Sequence, residues 1–184
     1  MERRDFLETL SHGATAMWAG LNLRDLFDAG AWAAARPVTA PYEFFSPEQA
    51  ALVDAISATL VPTTDTPGAR EAHVVQFIDH SLATFMKERQ KPFTDALAGF
   101  TEFVAQSRTG GAAFPELAEA DQIAVMTEYE KKNRQPFNLL RSATMMGMFC
   151  HPQHGGNYQK VGWQLIGFVD QYSWVPPFGY YDKV

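Results

Sequence analysis

Between Ser46 and Phe149 the chain repeats one pattern: apolar residues three and four apart, cut at intervals by proline or glycine, with no long run that alternates with period two. That spacing follows the turn of an α-helix and would scatter apolar groups over both faces of a strand. The chain is therefore predicted to be all-α. Ser46-Pro47-Glu48-Gln49 opens the first helix, because Ser46 can cap, Pro47 suits the first turn and Gln49 stands where a capping box needs it. Leu52, Val53, Ile56 and Leu60 share one face until Pro62 stops the run. After the turn-rich stretch Thr63 to Ala69 comes a second stripe, Val74, Phe77, Ile78, Leu82 and Phe85, with Lys91-Pro92 marking a break. Phe93, Leu97, Phe100 and Val104 form a third stripe ending at Gly110-Gly111. Leu117, Ile123, Met126 and Tyr129 form a fourth, and a fifth spans Phe137 to Phe149. The expectation is a single bundle of five or six helices without internal repeats.

A break rich in Pro, Thr and Ala divides the chain into an N-terminal segment (1–35), a linker (36–45) and the helical domain (46–184). Arg3-Arg4 followed by Phe6-Leu7 resembles a twin-arginine export signal, with Gly13 to Leu23 as a weakly apolar core and small residues from Ala29 to Ala35 for cleavage. That route carries folded proteins and would place the chain in the periplasm. Asn22, Arg24, Asp25 and Asp28 interrupt the apolar run, and Leu7, Leu10, Ala14, Met17 and Leu21 equally suit one face of a packed amphipathic helix. From His151 onward the texture changes to Pro, Gly and aromatic residues. The extended tail, with Tyr172, Trp174, Phe178, Tyr180 and Tyr181 around Pro176-Pro177, cannot readily fold on itself. It needs a surface, since each large apolar side chain gains about 1.5–3 kcal/mol on leaving water. That surface belongs either to this chain or to a partner, and aromatic enrichment is also what interface cores display.

A net charge of −6 removes nucleic acid and anionic membranes from the candidate partners, since both reward fields of Lys and Arg. No stretch approaches the length of apolar sequence that spans a bilayer. A single cysteine excludes covalent c-type haem and any multi-thiolate metal site. Cys150-His151-Pro152-Gln153-His154 gathers three potential ligands, but Pro152 limits their convergence and no second cluster accompanies them. His73 and His80 lack the Glu-x-x-His pairing of a di-iron bundle. Gly155-Gly156-Asn157 follows no strand, so it reads as a tight turn rather than a phosphate cradle. Nucleophile elbows, Walker loops and dinucleotide fingerprints are missing. The expectation is that this chain has no catalytic residues, no metal site and no cofactor of its own.

Several segments in order are similar to the gluconate 2-dehydrogenase subunit 3 family. They run Phe45-Ser46-Pro47-Glu48-Gln49, Leu60-Val61-Pro62, Asp65-Thr66-Pro67-Gly68-Ala69, Val74-Val75, Phe77-Ile78-Asp79, Phe114-Pro115-Glu116-Leu117, His151-Pro152, Gly155-Gly156-Asn157 and Gly162 through Phe168. One departure is Ala118-Glu119-Ala120-Asp121, where relatives tend to carry a serine that caps the following helix. The resemblance implies a non-catalytic small subunit that binds, stabilises and helps export a large glucose-methanol-choline type flavoprotein. That partner would hold FAD and oxidise a sugar, glycoside or sugar acid, in some relatives passing electrons to a cytochrome c subunit. The expected partner surface comprises Asn157, Tyr158, Trp163, Phe168, Tyr172, Trp174, Phe178 and Tyr180. The rival classes are a free-standing metal-dependent enzyme and a periplasmic binding or structural module.

Overall fold

A computed structural model of the chain describes residues 41–107, 111–171 and 173. The twin-arginine-like residues Arg3, Arg4, Phe6 and Leu7, and the tail residues Tyr172, Trp174, Phe178 and Tyr180, lie outside the described residues. Among the described residues six helices form an all-α bundle: α1 Pro47–Leu60, α2 Val74–Ala83, α3 Gln90–Gln106, α4 Glu119–Lys132, α5 Arg134–Phe149 and the short α6 Val161–Leu165. Strands are absent among the described residues. Helix α5 is the hub, packing against every other helix, and no helix here is long and apolar enough to cross a membrane.

Local chemistry explains the boundaries. Helix α1 starts with the full capping box, Gln49 N–H donating to Ser46 Oγ and Ser46 N–H to Gln49 Oε1. The following turn closes where Gly68 passes so near the backbone that a Cβ would lie 2.5 Å from the Val61 carbonyl oxygen. Glu71 fastens it, accepting from Thr63 Oγ1 and from Gly68 N–H, bonds that lower its carboxyl pKa.

Lys91-Pro92 is not the break expected from sequence. Helix α3 begins at Gln90, so Pro92 falls in its first turn, where the lost N–H has no intrahelical partner to miss. Ile123 is likewise displaced from the core. It is 50% exposed, and α4 buries Val125 in its place beside the expected Met126 and Tyr129. Tyr129 meets Phe100 edge-on with ring centroids 4.9 Å apart, and Phe100 meets Phe114 at the same distance. Between α1 and α5 the hydroxyls of Ser57 and Thr144 pair at 3.2 Å within the core.

The end of the 36–45 segment is tied down rather than loose. Asp79, buried in α2, accepts three consecutive backbone N–H groups, from Glu43 at 2.7 Å, Phe44 at 2.9 Å and Phe45 at 2.8 Å. Glu43 Oε2 also lies 3.1 Å from His80 Nδ1. Asp79→Ala is expected to cost about 3 kcal/mol, because three donors lose a charged acceptor, read as a lowered urea midpoint at unchanged slope. Helix α4 is preceded by Ala118 at its N-cap, where no side chain can accept from the first turn. Ala118→Ser should therefore raise stability by about 1 kcal/mol in the same assay.

Candidate functional site

The C-terminal end of α5 lies inside the protein, so its last carbonyls need donors. The segment from Gly155 to Trp163 supplies them. Asn157 N–H reaches Gly147 O at 2.7 Å, Asn157 Nδ2 donates to Cys150 O at 2.9 Å, and the Trp163 indole N–H donates to Phe149 O at 2.9 Å. The remaining oxygen of the Asn157 amide accepts Gly162 N–H at 2.8 Å, fixing the start of α6. One side chain thus caps one helix and opens the next. Asn157 is 0% exposed and sits at φ 47°, in the left-handed region that Asn tolerates better than most residues.

Glycine is required around it for space. A Cβ on Gly156 would stand 2.3 Å from Gly147 O, and one on Gly162 would stand 1.9 Å from Met148 O. Helix α6 then ends in a Schellman motif. Phe168 N–H bonds Trp163 O at 2.8 Å and Gly167 N–H bonds Gln164 O at 3.1 Å, with Gly167 at φ 67°. The motif brings the rings of Trp163 and Phe168 to 5.0 Å. Tyr158 fastens the bracket to the start of α2, through its N–H on Ala72 O and its ring stacked 4.1 Å from His73. Burial holds the His73 imidazole below the usual histidine range.

This bracket presents a small apolar ribbon. Ile166 is 60% exposed and Val169 58%, and Leu165, Phe168 and Tyr158 are exposed beside them. Of the surface expected from sequence, Tyr158 and Phe168 are exposed and Trp163 is half-buried with its indole N–H committed inside the chain. Asn157 is enclosed by its own chain and acts by positioning the segment. Leu165 and Ile166, within the Gly155 to Phe168 segment expected to contact a partner, and Val169 just beyond it are exposed residues that aromatic density does not single out. Their signal is three aliphatic residues flanking Gly167, where a helix this short has no second face to bury.

The Cys150 to His154 cluster does not converge. The Cys150 thiol is pushed up to about 12 by burial. His151 Nδ1 accepts Gln153 N–H, and the His151 and His154 rings stand 6.3 Å apart. His154 is held low, first by burial and then by His151. Among the described residues no three His, Cys, Asp or Glu side chains are placed to share an ion.

The sequence profile of gluconate 2-dehydrogenase subunit 3 matches residues 47–170, from the first residue of α1 to just past the bracket. The chain belongs to the gluconate 2-dehydrogenase subunit 3 family. No curated protein and no solved structure gives a match. The subunit's Gly-Gly-Asn and Gly-Trp elements are thereby explained as backbone carpentry around the α5 terminus. Gly162→Ala is expected to cost about 1–3 kcal/mol through overpacking against that terminus, whereas Gly99→Ala, mid-helix in α3 with its nearest neighbour the Tyr129 hydroxyl at 4.0 Å, should gain about 0.5–1 kcal/mol. Thermal melts of the two variants will separate in opposite directions from the parent.

Proposed function

We propose that this chain is the non-catalytic small subunit of a flavin-dependent sugar dehydrogenase complex, and that it binds and stabilises a large FAD-containing catalytic chain of the glucose-methanol-choline type. The observation that carries this reading is the exposed ribbon Leu165, Ile166, Phe168 and Val169, held in fixed shape by the Asn157 bracket. Contiguous exposed apolar groups on a rigid support are the usual mark of a protein contact, and family membership supplies the kind of complex. In this proposal Tyr158 and the outer face of Trp163 border the contact, FAD and the sugar-binding pocket belong to the partner, and a cytochrome c subunit is a candidate electron acceptor. The twin-arginine-like start at Arg3-Arg4 supports joint export of the folded pair to the periplasm.

The test is affinity purification through this subunit from its native host, with mass spectrometry and a visible spectrum of whatever comes with it. The expected result is a large partner with a flavin spectrum that bleaches on adding a sugar or sugar acid. A colourless lone chain overturns the reading, and activity or bound metal in that lone chain would instead make it an enzyme in its own right. Replacing Ile166 and Val169 together by Asp should reduce recovered flavin at least tenfold, since two charges would be desolvated in the contact. The helical circular dichroism signal should stay unchanged, because both side chains point to solvent.

A further inference from the structure

Beside the bracket, Phe85, Met86, Met145, Met146, Phe149 and Cys150 line an open groove of about 480 Å³ between α2, the turn after it, and the end of α5. All six side chains are half-buried. Four of them carry sulfur, so three thioethers and the single thiol of the chain meet at one solvent-facing place. The other methionines among the described residues are enclosed, Met126 in α4 at 5% exposure and Met148 in α5 at 0%. Helix geometry makes that division sharp. Met145, Met146 and Met148 lie within one turn of α5, yet the first two face the groove and the third faces the core.

We propose that this groove is an oxidation site, in which hydrogen peroxide converts Met86, Met145 and Met146 to methionine sulfoxide ahead of every other sulfur among the described residues, and that the change at Met86 and Met146 loosens α2 from α5. In each event the thioether sulfur gives two electrons to the peroxide. An S–O bond forms, the O–O bond breaks, and the proton of the transferred oxygen goes to the departing one, which leaves as water. Access decides among the methionines, because peroxide has to reach the sulfur. Cys150 shares the groove but stays out of the reaction. A thiol attacks peroxide as its thiolate, and burial pushes this one up to about 12 while its Sγ donates toward Gly147 O at 3.7 Å. A thioether has no proton to lose, so neutral pH does not slow it. The loosening follows from what lies behind the groove wall. Met86 and Met146 also border a gap of about 20 Å³ in the core, beside Ile78, Leu82 and Phe93, and Met145 does not reach it. The polar residues on this gap are Ser81, whose hydroxyl is committed to Ile78 O at 2.9 Å, and Arg89. A sulfoxide oxygen turned inward is an acceptor set among carbon atoms, and one turned outward draws its side chain off the wall. Both subtract from the packing between α2 and α5.

This inference does not rest on the partner reading, and its test uses the isolated full-length chain, so each can fail without the other. After timed exposure to hydrogen peroxide, tryptic peptides read by mass spectrometry should show oxygen gained at Met86, Met145 and Met146 about tenfold faster than at Met126 and Met148. Cys150 should still react with a thiol reagent once the treated chain is unfolded. In urea the same methionines should all react at one rate, which assigns the selection to the fold. Comparable rates in the folded chain, a selection that persists in urea, or loss of the Cys150 thiol before the groove methionines would overturn the site. The oxidised chain should also melt a few degrees lower, and methionine sulfoxide reductase should return the melt to its starting point. The Met86→Leu, Met146→Leu double variant should melt alike with and without peroxide while Met145 is still oxidised. An unchanged melt in the oxidised parent, or an equal fall in the double variant, would overturn the loosening.

Discussion

The carbonyl end of α5 sets the terms for the rest of the molecule. Because this helix is the hub, its last turn is enclosed, and enclosed carbonyls without donors are costly. The solution is a single amide. Asn157 gives its backbone and side-chain donors to Gly147 and Cys150 and keeps its oxygen for the start of α6. Gly156 and Gly162 then have to be glycine, since the backbone comes too close for any Cβ, and Trp163 falls where its N–H can take Phe149. The position of the exposed ribbon follows from that arrangement.

The bracket also separates two roles that the aromatic sequence blurs together. Trp163 and Phe168 close the Schellman motif against each other, while Leu165, Ile166 and Val169 leave much of their apolar surface in water. A segment selected only for stability would avoid this, as aliphatic groups on a one-turn helix are easily replaced by polar ones. The Cys150 to His154 cluster runs the other way. Its reactive-looking groups are spent on local structure, with the thiol held protonated and the histidines apart.

The helices were legible because their signals are local. The Ser46–Gln49 box, the Pro62 stop and the stripes on α2, α3 and α5 depend only on nearby residues. Pro92 and Ile123 misled because proline is harmless in a first turn, and because the face α4 buries is chosen by Phe100 and Phe114, residues remote in sequence. Asp79 stood out only as part of the family-like segment Phe77-Ile78-Asp79, and its role was not legible there: an acid in an apolar stripe acquires meaning only when residues 43–45 arrive beside it. Gly155-Gly156-Asn157 read correctly as a turn using left-handed backbone, but its service to α5 is a long-range bond pattern that spacing does not encode.

The grip of Asp79 has a mechanical side. Its carboxylate holds three successive amides of residues 43–45 together, so the chain is already fastened to α2, in the middle of the bundle, before α1 begins. Tension on residue 43 would therefore be shared between two helices that are distant in sequence, and the first turn of α1 would not carry it alone.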